Sequence, residues 1–260
     1  MLSFLDEMGK LVDKDIRFAF INRNKDFFQQ ENCAFVIEYG INSTNVVDLA
    51  FFDFNNNRFF GFEIKSEKDN LERLYSQLTS YTTFFNIVYV VCHTKHVEDV
   101  LEMINNFKHL SKVGVIEVSS DLEFKEIRQA KLYKPFYDMF MKNLDLEEVK
   151  NMCESKGIYI GNSNKKTLVA QMKMRVTLEE VYEGMHNKLR KLYIRYCPTC
   201  GSNLYYNKSI NGKLEHICYG CGSVIPDDEG KISPSHYSST IGEKYNKDDE
   251  WGKGMDKKKK

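Results

Sequence analysis

The chain is expected to fold as an α/β protein: a mixed sheet flanked by helices, followed by a small helical segment and a cysteine-rich module. Three observations lead there. Between residues 33 and 131, short runs rich in β-branched and aromatic residues alternate with stretches of helical period. Residues 136–192 carry helical patterning throughout, and four of the seven cysteines form two Cys-x-x-Cys pairs after that segment. A length of 260 residues suits one sizeable domain with one or two small ones. The boundaries fall at 1–135, 136–192, 193–226 and a polar tail at 227–260, which is expected to be disordered.

Taken in order, Leu5, Met8, Leu11, Val12, Ile16 and Phe20 recur at helical intervals, which predicts an opening helix over about residues 4–24. Strand-like runs follow at 33–38, 46–54 and 59–65, the last two joined by Asn55, Asn56 and Asn57 as a turn, so they form an antiparallel hairpin. Asp69 with Glu72 three residues on resembles a capping box, and Leu71, Leu74, Leu78 and Tyr81 mark one face of a helix to about Phe84. A buried strand at 87–92, a helix at 95–107 and strands at 113–118 and 122–131 complete the domain. Glycine and polar residues interrupt the later helices at Gly157 and at 161–164.

No apolar run approaches the roughly 18–20 residues of a membrane span, and charge appears within the first seven residues, so neither a signal peptide nor a membrane partner is expected. Sparse, paired cysteines suit a reducing compartment and a metal site rather than a disulfide scaffold. The formal net charge of zero hides a division: residues 1–150 hold 18 basic against 24 acidic side chains, and residues 151–215 hold 11 against 5. Phosphate contacts are therefore expected in the later, basic stretch.

The hairpin carries the chemistry. Glu63 and Lys65 are two apart in a strand and share a face, while Asp48 stands on the partner strand among Val46, Val47 and Leu49. An unpaired carboxylate there would be costly. Two carboxylates supply hard oxygen ligands for Mg²⁺ or Mn²⁺, and Lys65 beside them can hold a water or neutralise a phosphate. A simple cross-strand ion pair explains the same residues equally well.

Asp48, a hairpin, Glu63-Ile64-Lys65, and then a helix bearing Gln77 and Tyr81 resemble the PD-(D/E)XK nuclease superfamily. The Gln-x-x-x-Tyr spacing is similar to its RecB-like branch, and Gly61 to Ser66 with Asp69, Leu71, Arg73 and Leu74 is similar to bacterial and phage members related to the MmcB group of DNA-repair nucleases. The resemblance covers residues 30–120 at most. It implies a restriction-endonuclease-like fold, metal ligation by Asp48, Glu63 and the Ile64 carbonyl, Lys65 as the catalytic lysine, and Gln77 orienting Lys65 or substrate. It also implies Tyr81 packed or hydrogen-bonded beside them, DNA as partner, and a bacterial or phage-infected host cytoplasm. Val47 replaces the proline that often precedes the aspartate. Glu38 could fill the place of a further acidic residue, as could Glu31 or Glu7.

Cys197-Pro-Thr-Cys200-Gly and Cys218-Tyr-Gly-Cys221-Gly have the spacing of a four-cysteine zinc ribbon, with glycines that permit a positive φ after each knuckle. Four thiolates complete a tetrahedron, which makes the zinc structural. Two redox pairs, or His216 as a ligand, are the competing readings. Tyr193, Arg195, Tyr196, Tyr205, Tyr206, Lys208 and Lys213 mix aromatics with positive charge, as base-stacking modules do, though a ribbon that only stabilises the fold fits too. Residues 144–174 resemble SAP-type DNA-binding motifs, with Lys156, Lys165, Lys166 and Lys173 as the matching basic positions. An ordinary helical linker is the alternative.

The expected function is thus hydrolysis of DNA by a Mg²⁺-dependent nuclease. A non-catalytic nucleic-acid-binding adaptor would show salt-dependent binding without turnover, and a zinc-stabilised protein-interaction module would bind its partner without that salt dependence.

Overall fold

The computed structural model describes residues 11–41, 45–210 and 213–225. The expected start of the first helix and the polar tail lie outside these residues. Helix α1 spans Asp13–Arg23 and a short α2 spans Lys25–Phe28. Six strands then form one sheet in sequential order: β1 (Cys33–Gly40), β2 (Val46–Asp53), β3 (Arg58–Lys65), β4 (Ile87–His93), β5 (Gly114–Val118) and β6 (Phe124–Arg128). The β1/β2, β2/β3 and β5/β6 pairs are antiparallel, whereas β3/β4 and β4/β5 are parallel. Parallel pairing requires crossovers, supplied by α3 (Leu74–Phe84) and α4 (Val97–Asn106).

The Asn-rich turn closes as expected, with Asp53 as its lock: Asp53 Oδ1 accepts from the amides of Asn55 and Asn56, and Oδ2 from the Asn56 side chain. Asp69 departs from expectation. It accepts from the Ser66 amide and hydroxyl at 2.6 Å, closing the turn after β3, so α3 begins later with Arg73 as its N-cap residue. A carboxylate that caps a strand exit is not available to cap a helix five residues on.

Two apolar layers sandwich the sheet. On one face Phe20 and Phe28 of the first helices meet Phe35, Phe51 and Phe62, with Phe28 at 4.6 Å from Phe35 and 5.5 Å from Phe51 between ring centres. The other face carries α3, α4 and four more helices: α5 (Tyr137–Asn143), α6 (Leu146–Ser155), α7 (Lys165–Met172) and α8 (Leu178–Tyr193). Phe140, Val149, Leu168, Met172, Val181, Met185 and Leu189 from those four share one hydrophobic cluster with Phe52, Phe59, Leu78 and Val90. Residues 136–192 therefore pack onto the sheet. On β3 the glycine is required: a Cβ on Gly61 would lie 2.6 Å from the Phe85 ring.

A small second sheet holds β7 (Tyr205–Ile210), β8 (Lys213–Cys218) and β9 (Val224–Ile225). It docks beside β1. Leu204 enters the phenylalanine-rich layer, Gln29 Nε2 donates to Ser202 Oγ at 2.7 Å, and Asn203 Nδ2 lies 3.3 Å from the Gln30 carbonyl and 3.4 Å from that of Cys33. Among the described residues no helix is long and apolar enough to cross a membrane.

Candidate metal centre

Strand register places three carboxylates in a row. Asp48 lies opposite Glu38 on one side, between the pairs Ile37↔Leu49 and Tyr39↔Val47, and its other neighbour strand brings Glu63 next beyond Leu49↔Phe62. Like charges directly across a ladder repel, and the sheet yields there. The alternation of faces skips a residue at both positions: Val36 and Tyr39 share one apolar layer, as do Val47 and Ala50, while Leu49 joins the other. Glu38 itself adopts φ +57 inside a strand. The β2/β3 ladder ends at Leu49↔Phe62, and the Asp48 side chain then takes the Ile64 amide through Oδ2 at 2.6 Å.

Glu63 and Lys65 share one face of β3, as their spacing predicts. Lys65 Nζ stands 2.6 Å from Glu63 Oε1, and both are buried, at 7 % and 1 % exposure respectively. The ion pair weighed from the sequence is thus present, but it leaves Glu63 Oε2 to a different partner. The Tyr81 hydroxyl lies 2.7 Å from Glu63 Oε2 and 2.7 Å from the Val46 carbonyl. Tyr81 is therefore part of the site as well as of the core. Burial, followed by the Glu63 charge, pushes its phenol far above the usual range, while a hydrogen bond from Gln77 acts the other way.

Burial and the nearby Glu63 charge push the Asp48 carboxyl up to about 8, against the opposing pull of the Ile64 amide and Arg17. Gln77 makes no hydrogen bond to Lys65; its Oε1 is buried without a partner. Ile64 occupies the expected place between Glu63 and Lys65, its side chain in the opposite, phenylalanine-rich layer.

Two residues escaped the sequence reading. Arg17 of α1 reaches Glu38 Oε1 at 2.8 Å and Asp13 Oδ2 at 2.6 Å, and stands 3.9 Å from Asp48 Oδ1. Asp13 Oδ1 is buried without a partner, and burial raises the Asp13 carboxyl despite Arg17. Asp13 and Arg17 form an i, i+4 pair on one helix face, the one sequence signal that could have found them, and one that surface helices share. Glu38 is not gathered with Asp48 and Glu63: its side chain is 65 % exposed and turned to Arg17. With every group ionised, Asp13, Glu38, Asp48 and Glu63 against Arg17 and Lys65 leave a formal charge of −2.

The second centre is formed by the cysteines. Cys197, Cys200, Cys218 and Cys221 have all four sulfurs within 4.8 Å of one another, the only such group of three or more metal-ligating side chains among the described residues. Close approaches run between knuckles, Cys197 to Cys221 at 3.6 Å and Cys200 to Cys218 at 3.5 Å. One cluster of four sulfurs, not two separated pairs, disfavours the redox reading. The spacing fits the edge of a tetrahedron with metal–sulfur bonds of about 2.3 Å, roughly 3.8 Å. Each knuckle repeats the same two backbone bonds, Gly201 N to Cys197 O and Cys197 N to Ser202 O, then Gly222 N to Cys218 O and Cys218 N to Ser223 O. Gly201 and Gly222 have φ of 74° and 76°. His216 stays outside the cluster, its ring against Tyr205. The four can hold a metal such as zinc.

The expected nucleic-acid contacts fare differently. Arg195, Tyr196 and Tyr205 are buried, and Tyr193 packs against Tyr39 and Phe52, so these are not a stacking platform. The side chains of Tyr206, Lys208 and Lys213 lie outside the described residues. Lys156 pairs with Glu180 and Lys173 with Asp138, while Lys165 Nζ caps the carbonyls of Lys142 and Leu144. Lys166 has no polar partner among the described residues. Three of these four lysines are engaged internally, because composition counts charges but not their partners.

The family model described as bacteriophage P4 protein cII matches residues 8–214. Protein cII of Enterobacteria phage P4 is 25% identical over 154 residues, which span 58% of this chain and 56% of that protein. Among solved structures, a protein of unknown function from Silicibacter pomeroyi overlays with a TM-score of 0.35 at 10% identity, covering 48% of this chain and 75% of that one.

Proposed function

The chain belongs to the bacteriophage P4 protein cII family, and from the geometry of its site we propose that it is a metal-dependent nuclease of the PD-(D/E)XK type that hydrolyses DNA phosphodiester bonds in the cytoplasm. The observation that carries the reading is the convergence of Asp48, Glu63 and Lys65 where β2 and β3 part. Asp48 holds the Ile64 amide there, and Tyr81 holds Glu63. A divalent cation fits these residues. Fully ionised, these groups with Asp13, Glu38 and Arg17 carry a formal −2, and burial makes the ionised state of Asp48 unfavourable unless a cation joins it.

Asp48, Glu63 and the Ile64 carbonyl would hold Mg²⁺ or Mn²⁺. When bound, the ion lowers the pKa of a ligated water and stabilises charge on a phosphoryl oxygen. The chain's own groups do the rest. Lys65, anchored on Glu63, presents a cation to the attacking water or the scissile phosphate. Tyr81 fixes the second Glu63 oxygen, and Gln77 presents a buried, unpaired amide oxygen on the same helix face. The cysteine centre would hold a structural zinc that keeps the small sheet docked against β1 and α2.

Cleavage of linear and circular DNA with Mg²⁺ or Mn²⁺ tests this reading, comparing the full chain with Lys65→Ala and Asp48→Asn. Loss of cleavage in both variants, with melting curves that still show folded protein, is the expected result. Equal activity in all three, or none in the unaltered chain, would overturn the assignment.

A further inference from the structure

We propose that Arg17 is a tethered counter-ion that weakens, and so tunes, divalent-cation binding at Asp48 and Glu63. This inference rests on the metal site proposed above. The guanidinium is held by two carboxylates at hydrogen-bonding distance, Asp13 from its own helix and Glu38 from β1, and those contacts leave it 3.9 Å from Asp48. It is near enough to compensate Asp48 electrostatically and too far to donate a hydrogen bond to it. A cation ligated by Asp48 must then share that carboxylate's field with a fixed positive charge whose side chain is only 14 % exposed.

The backbone supports the tether. Among the described non-glycine residues with positive φ, Asn32, Asn57 and Leu122 lie outside the strands, whereas Glu38 lies inside β1 at φ +57. A glutamate keeps that conformation in a strand only when something compensates it. Here it sends the carboxylate to Arg17 instead of leaving it paired across the ladder with Asp48. Lysine would not reproduce the two-carboxylate grip of the guanidinium fork, but it would keep the charge.

Mn²⁺ binding to the full, zinc-loaded chain, followed by the electron paramagnetic resonance of free Mn²⁺ without DNA, reads this directly. Arg17→Gln is expected to bind Mn²⁺ about tenfold more tightly or better, because a neighbouring positive charge is gone. Arg17→Lys should stay within about threefold of the unaltered chain. Glu38→Gln should bind several-fold more weakly, and that penalty should shrink in the Arg17→Gln background. Binding by Arg17→Gln that is no tighter, or a Glu38→Gln penalty that is the same in both backgrounds, would overturn the inference. If Arg17→Gln does not fold, unchanged affinity in Glu38→Gln, whose altered side chain is exposed, overturns it alone. Asp48→Asn separates the two levels. Mn²⁺ binding that survives that change removes the proposed site and this inference with it; binding lost there but indifferent to Arg17 removes only the inference.

Discussion

Tyr81→Phe deletes one oxygen and changes nothing else in a ring that is fully buried. The single proton of that oxygen is shared between two acceptors at 2.7 Å, Glu63 Oε2 and the Val46 carbonyl, and Glu63 at 1 % exposure cannot recruit water in its place. A hydrogen bond to a buried charged group contributes about 1.5–3 kcal/mol, so a loss near 2 kcal/mol is expected without divalent cations. For a chain of this size, at roughly 2–4 °C per kcal/mol, the melting temperature should fall by about 4–8 °C. Glu63 also loses the group that fixes its orientation, which should cost roughly 10–100-fold in Mn²⁺ affinity or in turnover. Thermal unfolding by far-UV circular dichroism reads the first effect and Mn²⁺ titration the second. Tyr75→Phe is the control: Tyr75 lies on the same helix, is 38 % exposed, and makes no hydroxyl hydrogen bond among the described residues. A Tyr81→Phe variant melting within about a degree of Tyr75→Phe, with Mn²⁺ affinity intact, would refute the reasoning.

The Asp48 carboxyl sits near 8 in the fold against 3.8 when unperturbed, so the folded chain binds that proton more tightly than the unfolded one. The stability it contributes is present at low pH and is lost as pH rises through that window, a slope that Asp48→Asn should flatten in metal-free melting curves taken from pH 4 to 9. Under the proposed reading a cation must displace the same proton, so apparent Mn²⁺ affinity should rise roughly tenfold per pH unit below about 8 and level off above it; a flat profile would contradict this. For the cysteine centre, burial pushes the Cys218 thiol up to about 12, whereas hydrogen bonds from Ser223 draw Cys221 down to about 6. Metal must expel protons there too. Cys197→Ser, or removal of any metal the cluster holds, is expected to undock Leu204 and cost on the order of 3 kcal/mol, hence about 6–12 °C of melting temperature. Unchanged melting would show that the docking stands without metal.

The strands were legible because Val, Ile and Phe crowd short runs, and the hairpin because three asparagines separate two of them. The trio of Asp48, Glu63 and Lys65 was legible for a related reason: charged residues inside apolar strands have few places to go. Tyr81 was legible as core, yet its hydroxyl role depends on α3 crossing over β3, which no local pattern encodes. Arg17 and Asp13 sit on a helix face that looks solvated until β1 and β2 are laid against it. The left-handed turn at Glu38 leaves no mark, since glutamate is neither glycine nor asparagine. Asp69 looked like a helix cap because its spacing fits one, and the nearer Ser66 amide took it instead. The docking of Ser202, Asn203 and Leu204 was invisible for the same reason as Arg17, because short polar residues between knuckles carry no address.

That docking also sets an order of events in synthesis. The contacts from Gln29 to Ser202 and from Asn203 to Cys33 join residues 173 and 170 apart. At about 5–20 residues per second, the ribosome needs on the order of 10–30 s between making one side and the other. Throughout that interval the free flank of β1 and the phenylalanine layer beneath it face the crowded surroundings of a nascent chain. The cysteine module thus acts late in the life of each molecule, as the piece that closes a surface opened by its first strand.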